Sequence, residues 1–141
     1  MVKKIHTLKD KETYEFGLVG ISSPENDYRL SWILNSGLEF SFARGEDLSF
    51  YHPKLKEPQV FHQFLCQDEE TMLQFRLISN RCENGYLLEE LSNIDYLIQV
   101  NGEVEEGFLE GFLKKLNALN EIILAFRIDP STLRSRKRLL L

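Results

Sequence analysis

Apolar side chains fall on every second position in three separate stretches: Leu38, Phe40 and Phe42; Leu73, Phe75 and Leu77; and Tyr96, Ile98 and Val100. A half-buried β-strand requires this period, because successive side chains of an extended chain point to opposite faces. The alternation returns at Tyr14, Phe16 and Leu18, and at Leu48 and Phe50 after the turn-like Arg44-Gly45-Glu46. A chain so patterned is committed to a sheet. Two stretches keep the helical period instead. Leu30, Ile33 and Leu34, with Tyr28, share one face of a helix that starts at Ser23-Pro24, runs to about Asn35 and is stopped by Gly37. Phe108, Leu109, Phe112, Leu113 and Leu116 form the apolar face of a second helix, from Val104 to Leu119. Glu103, Glu105 and Glu106 favour its positive end, and Lys114 and Lys115 lie toward the other.

The middle of the chain is β-rich. Residues 52–58, between two prolines and carrying Lys54 and Lys56, read as an exposed, mobile loop. Val60 to Cys66 and Met72 to Ser79 read as strands of a hairpin around Asp68-Glu69-Glu70, and Asn84-Gly85 turns the chain into a short extended piece at Tyr86-Leu87-Leu88. Ile122 to Ile128 is the strongest strand. Asp129-Pro130 opens a final short helix that carries Arg134, Arg136, Lys137 and Arg138 and ends in three leucines. Two strand-helix-strand units around a β-only middle predict a single α+β domain over residues 1–141. Its form is a two-layer sandwich, with the helices packed on one face of a mainly antiparallel sheet. A ferredoxin-like core with an inserted β-hairpin is one realisation.

A chain of 141 residues with 23 leucines and 10 phenylalanines has enough apolar volume for a core without staples. Its two cysteines, Cys66 and Cys82, form no disulfide framework and fit a reducing cytoplasm. The first apolar run breaks too early for a signal peptide, and no stretch approaches the roughly 20 apolar residues that span a bilayer. A net charge of −5 argues against a general nucleic-acid binder, although the basic C-terminal run keeps RNA contact as a minor reading.

Motifs for chemistry are scarce. The chain has no P-loop, no dinucleotide fingerprint and no nucleophile elbow. His62 and Cys66, four apart on one strand, would be about 13 Å apart, too far to share an ion. His52 and His62 across a hairpin leave a metal conceivable, but packed or surface histidines explain them as well, so no metal and no cofactor is expected. From Cys82 to Gly111 eight carboxylates stand without a Lys or Arg, whereas residues 127–138 carry five basic groups and one Asp. The asymmetry reads either as a solvated acidic face with a basic tail or as complementary pairing. Glu89, Glu90 and Asp95 suit acid–base work only if a water-poor cleft splits their pKa values. Gly107 and Gly111 cost their helix roughly 2 kcal/mol, which predicts close packing against a neighbour, first of all the sheet of the same chain. Asp27, Arg29 and Trp32 on the first helix lie off the Leu30/Leu34 stripe and mark a core position or a contact surface.

Asn80, Tyr86, Glu90, Asp95 and Tyr96 belong to a run, residues 79–96, that resembles the signature region of the IPExxxVDY family of Bacteroidetes. Glu90, Asp95 and Tyr96 match the motif, whereas Leu88, Glu89 and Ile94 stand for its isoleucine, proline and valine. Gly20-Ile21-Ser22, Asp27-Tyr28-Arg29-Leu30, Trp32 with Leu34-Asn35, and Ala125-Phe126 with Ile128-Asp129-Pro130 extend the likeness along the chain. The resemblance implies a cytoplasmic bacterial protein and brings no catalytic residue with it. The resulting expectation is a non-enzymatic interaction or accessory protein, a homodimer or one that meets another protein partner, with no membrane or nucleic acid involved. The alternative is a small-molecule-binding protein or an enzyme using the acidic residues near 90–95. The three C-terminal leucines need a groove, either within the same chain or in a second subunit; in the dimer they would carry the basic run toward the second subunit's acidic stretch.

Overall fold

A central strand covered on both faces organises the molecule. The computed structural model describes residues 16–140, so Tyr14, His6 and Leu141 lie outside the described residues. Along the chain come β1 (Phe16–Ser22), α1 (Asp27–Leu38), β2 (Ala43–Arg44), β3 (Leu48–His52), β4 (Glu57–Phe61), β5 (Gln63–Asp68) and β6 (Leu73–Ser79). There follow β7 (Arg81–Cys82), β8 (Gly85–Tyr86), β9 (Tyr96–Asn101), α2 (Phe108–Asn117) and β10 (Leu124–Arg127). Six strands form one antiparallel sheet in the order β10-β1-β9-β6-β5-β2. Counting β1, β6, β9 and β10 as first to fourth, their spatial order is 4-1-3-2, with α1 after the first and α2 after the third. This is a ferredoxin-like α+β core. The insertion after α1 is larger than one hairpin: β5 and β2 extend the sheet, and β3 and β4 pair as a separate ribbon.

Alternation decides which side chain meets which layer. Val19, Ile21, Phe75, Leu77, Ile98 and Val100 face the helices and pack with Leu30 and Leu34 of α1 and Leu109, Phe112 and Leu116 of α2. The opposite face is also apolar. There Leu18, Ile78 and Leu97 pack with Phe61 of β4, with Leu87, Leu88 and Ile94, and with Leu133 and Leu139 from the C-terminal segment. Every residue from Tyr96 to Val100 is therefore buried. Leu139 is buried within its own chain, in the intramolecular of the two grooves expected for it.

Several local expectations change for identifiable reasons. The first helix starts at Asp27 with Asn26 as cap, its Oδ1 accepting from Arg29 N–H at 2.8 Å, while Ser23 Oγ accepts from Glu25 N–H at 3.2 Å and donates to the Glu121 carbonyl at 2.7 Å. It ends at Leu38 with Glu39 in the left-handed region (φ 62°), whereas Gly37 stays helical. Leu38 to Phe42 is not a strand. The Phe40 and Phe42 rings lie together, 5.1 Å between centroids, and the Phe42 backbone is paired by the Asn35 side chain. Residues 53–56 are a tight turn between β3 and β4, with Lys56 N–H donating to the His52 carbonyl at 2.7 Å, so the expected loop, exposed as foreseen, is the tip of a hairpin. Val60 to Cys66 divides at His62 between two sheets, and only Tyr86 of the 86–88 piece is in a strand. The second helix begins at Phe108, and β10 spans four residues. Gly107 and Gly111 have nothing near the space a side chain would take, so their spacing marks no close packing. Gly107 instead caps α2 at φ 88°. The final helix is two 3-10 turns, Pro130–Thr132 and Arg136–Leu140.

Both helices carry the same device near their ends. Asn35 Nδ2 donates to the Phe42 carbonyl at 3.1 Å and its Oδ1 accepts from Phe42 N–H at 2.8 Å. Asn117 does the same to Ala125, at 2.9 and 2.8 Å. On β10, an edge strand, the amide stands in for a neighbouring strand and satisfies groups that would otherwise invite pairing. Asn117→Ala should cost about 1 kcal/mol in urea unfolding, while Asn120→Ala, on the exposed surface nearby, should fall within about 0.5 kcal/mol of wild type.

Candidate functional site

Three of the residues singled out in the sequence meet where β1 hands over to α1. Asp27 sits in the first turn of α1, and its Oδ2 lies 2.6 Å from His62 Nδ1 in the break between β4 and β5. Asp95, just before β9, accepts from Ser23 N–H at 2.9 Å through Oδ2 and from Arg81 Nε at 2.9 Å through Oδ1. The Tyr96 hydroxyl donates to the Glu25 carbonyl at 2.5 Å. Burial, reinforced by the negative charges of Asp27, Asp95 and Glu25, pushes this hydroxyl far above the ordinary tyrosine range. Tyr96 is thus a fixed donor, unsuited to act as a base.

Asn80, Tyr86 and Glu90 form a second group on the far side of the sheet. The Asn80 side chain is completely buried. Its Nδ2 donates to the carbonyls of Leu91 and Ile94, both at 2.9 Å, and its Oδ1 accepts from Leu88 N–H at 2.8 Å. The main chain of Asn80 adds bonds with Asp95 and Leu87 at 3.0 and 2.8 Å. One amide thereby organises residues 87–95, including the 3-10 turn Glu89–Leu91. Glu90 accepts from Ser135 Oγ at 2.7 Å, from Ser135 N–H at 3.1 Å and from Arg134 N–H. Burial pushes its carboxyl upward, but the bonds from Ser135 and Arg134 outweigh that and hold it below the ordinary glutamate value. The Arg81 guanidinium lies over the Tyr86 ring, 5.7 Å from its centre. Glu90 of the acidic stretch thus meets the C-terminal segment inside one chain, through a hydroxyl and two backbone amides.

Of the three carboxylates named for acid–base work, Glu90 and Asp95 occupy folding contacts and the exposed Glu89 meets only the His52 ring. An acid–base pair needs one carboxyl held up, whereas Glu90 is held down and both Asp95 oxygens bind fixed donors. A groove of about 540 Å³ opens beside His62, lined also by Pro58, Val60, Arg81, Cys82 and Glu83. Its bases are already tied to Asp27 and Asp95, and the Cys82 thiol donates to Asn84 Oδ1 at 3.1 Å. His52 bonds Glu89 at 3.1 Å. Among the described residues no group of three or more His, Cys, Asp or Glu side chains is arranged to hold a metal ion.

Arg29 and Trp32 stand apart, on the solvent side of α1. Trp32, the only tryptophan, is 59% exposed, and the Arg29 guanidinium lies 5.4 Å from its ring centre. Beside them Tyr28 is 61% exposed, stacked edge-on against Phe64 at 5.6 Å and bonded through its hydroxyl to Arg44 at 3.0 Å.

A further set of polar residues escapes sequence reasoning. Gln59, Gln63 and Gln99 are buried, and Arg76 donates to Gln63 Oε1 at 3.1 Å and to Gln99 Oε1 at 2.7 Å. The only signal in the sequence is that Arg76 and Gln99 interrupt otherwise apolar strands, a pattern that reads as solvent-facing until the second face is known to be covered. Fold and site together define an α+β protein with a polar seam beneath a docked C-terminal segment. No family model, no curated protein and no solved structure matches the chain. Among the described residues no helix is long and apolar enough to cross a membrane.

Two outcomes follow from this geometry. Asn80→Ala removes three hydrogen bonds and leaves Leu88 N–H and the Ile94 carbonyl without a partner, the Leu91 carbonyl keeping Ile94 N–H, and should cost about 3 kcal/mol in chemical denaturation. Glu90→Gln should lower stability at pH 7. Because the folded-state pKa of Glu90 lies below its unfolded value of 4.5, the wild type's advantage is complete above that value and disappears as pH falls through the lower, folded one. Paired thermal melts from pH 7 to pH 3 should therefore converge at the acid end.

Proposed function

We propose that this protein is a non-enzymatic interaction protein that self-associates through the exposed face of α1. The observation that carries the reading is Trp32, standing 59% exposed beneath Arg29 when a single tryptophan would ordinarily be core. Trp, Tyr and Arg are the residues that dominate binding energy at interfaces, and Tyr28 is held ready by Phe64 and Arg44, which reduces the ordering cost of binding. Arg29 keeps its own counter-charge, Glu25 Oε1 at 3.7 Å, so the exposed aromatic side chains carry a two-fold pairing of α1 with its copy. The acidic residues near 90–95 are engaged in folding contacts, which supports the interaction reading over a catalytic one. We further propose a cytoplasmic protein that is a divergent member of the IPExxxVDY family. The motif-matching Glu90, Asp95 and Tyr96 each make defined long-range contacts, as a structural signature would.

Trp32 is its own reporter. With rising protein concentration, sedimentation should give a mass increasing from about 16.5 kDa toward twice that value, with the tryptophan emission shifting to the blue in step. Trp32→Ala should weaken association by about 2 kcal/mol, roughly thirty-fold. A monomeric mass with unshifted emission up to millimolar protein overturns the proposal.

A further inference from the structure

The groove beside His62 runs along an open strand edge. β4 pairs with β3 alone, and β7 supplies the opposite wall through Arg81 and Cys82. In an antiparallel ladder, successive amide groups of a strand point alternately toward its neighbour and away from it. Pro58 has no N–H to give β3, and its carbonyl accepts from Asn84 Nδ2 at 3.1 Å on the other side. Val60, two residues on, therefore also turns its N–H and carbonyl away from β3. Val60 lines the groove, and no strand covers this edge of β4. The space, about 540 Å³, falls within the roughly 300–1,000 Å³ of small-ligand sites.

Its two ends carry opposite charge. At one end, His62 Nδ1 lies 2.6 Å from Asp27 Oδ2, and Arg81 gives Nε and Nη2 to Asp95 Oδ1 at 2.9 and 2.8 Å. A carboxylate only accepts, so Nδ1 carries the ring proton of neutral His62. The two carboxylates fix these side chains from behind and leave His62 Nε2 and Arg81 Nη1 without a partner among the described residues. At the other end Glu57 Oε1 accepts from Asn84 Nδ2 at 2.6 Å. Beside Asn84, the exposed Glu83 lines the groove with a carboxylate that has no partner among the described residues. Glu57 and His62 stand about 17 Å apart at strand rise, a gap that their side chains narrow from both ends.

We propose that this groove binds a short peptide, two or three residues long and free at both termini. Its carboxylate meets Arg81 Nη1 and the protonated Nε2 of His62, its ammonium meets Glu83 and Glu57, and its main chain pairs with the N–H and carbonyl of Val60 as an added strand. Extended, two or three residues span about 7–10 Å, which matches the interval left between the charged side chains. A single amino acid cannot reach both ends. An internal segment of a protein chain has no terminal charge to offer at either. The site is separate from Tyr28 and Trp32, so occupancy does not require the association proposed for α1.

Isothermal titration of the full chain with tri-alanine, free at both termini, is the test. The C-terminal amide of the same peptide should bind about ten-fold more weakly and its N-acetyl form about three-fold more weakly. Arg81→Gln should weaken tri-alanine about ten-fold and remove the difference between acid and amide. Arg81 also holds Asp95, so if that variant loses its cooperative melt the comparison rests on Glu83→Gln, which touches no folding contact. Glu83→Gln should weaken tri-alanine about three-fold and make the free and acetylated peptides equal. No saturable binding at millimolar tri-alanine, or equal binding of acid and amide by the wild type, overturns the proposal. Weakening by the amide with none from acetylation or from Glu83→Gln would leave a simple carboxylate site and overturn the peptide assignment. None of these readings depends on the protein's mass, so they stand apart from association through α1.

Discussion

A strand that is apolar on both faces can be stable only if both faces are covered, and β9 imposes that demand on everything around it. Tyr96, Ile98 and Val100 require the helices, whereas Leu97 and Gln99 require a second cover. Two amphipathic helices can shield one side of a sheet. The second cover is assembled from pieces too small to fold alone: the β3–β4 ribbon, the turns around residues 87–94 and the C-terminal segment. Burial of apolar area, at roughly 25 cal/mol per Å², holds these pieces down, and their polar groups must then find partners inside.

That requirement accounts for the density of side-chain to backbone hydrogen bonds. Short and irregular segments cannot satisfy their own amides, so side chains do it for them. Asn35 and Asn117 pair with the backbone of Phe42 and Ala125, seven and eight residues on, Asn80 holds Leu88, Leu91 and Ile94, and Asp95 and Glu90 receive amides from β1's end and from the C-terminal segment. Most of the residues nominated as functional are of this kind. A polar side chain that organises a turn and one that contacts a ligand look the same in sequence, because both must be hydrogen-bonding groups placed among apolar neighbours.

The helix-facing layer was legible in advance. Phe75, Leu77, Ile98 and Val100 alternate, and Leu109, Phe112 and Leu116 recur at the helical period, so the two sides of one interface were both visible. Element ends were less legible, since caps compete. Ser23 has the chemistry of a helix cap, but its hydroxyl accepts from Glu25 N–H, two residues on, and donates to Glu121, 98 residues away in the chain, while Asn26 caps the helix. The Leu38-Phe40-Phe42 alternation misleads because Leu38 still belongs to α1, Glu39 turns the chain in the left-handed region, and the Phe42 backbone is paired by the Asn35 side chain instead of a neighbouring strand.

By itself the sequence determined the α+β class, the helix faces and the sheet-forming stretches, because periodicity records which side chains must share an environment and needs no knowledge of the neighbour. Tertiary structure alone decided what covers the second face. Whether Leu139 docks in its own chain, whether Glu90 meets Ser135 and whether Arg76 and Gln99 lie under a lid depend on contacts 40 to 63 residues apart. Such contacts have no period to announce them. Their free energy comes from burying groups that are exposed until the sheet exists, so only the assembled sheet selects them.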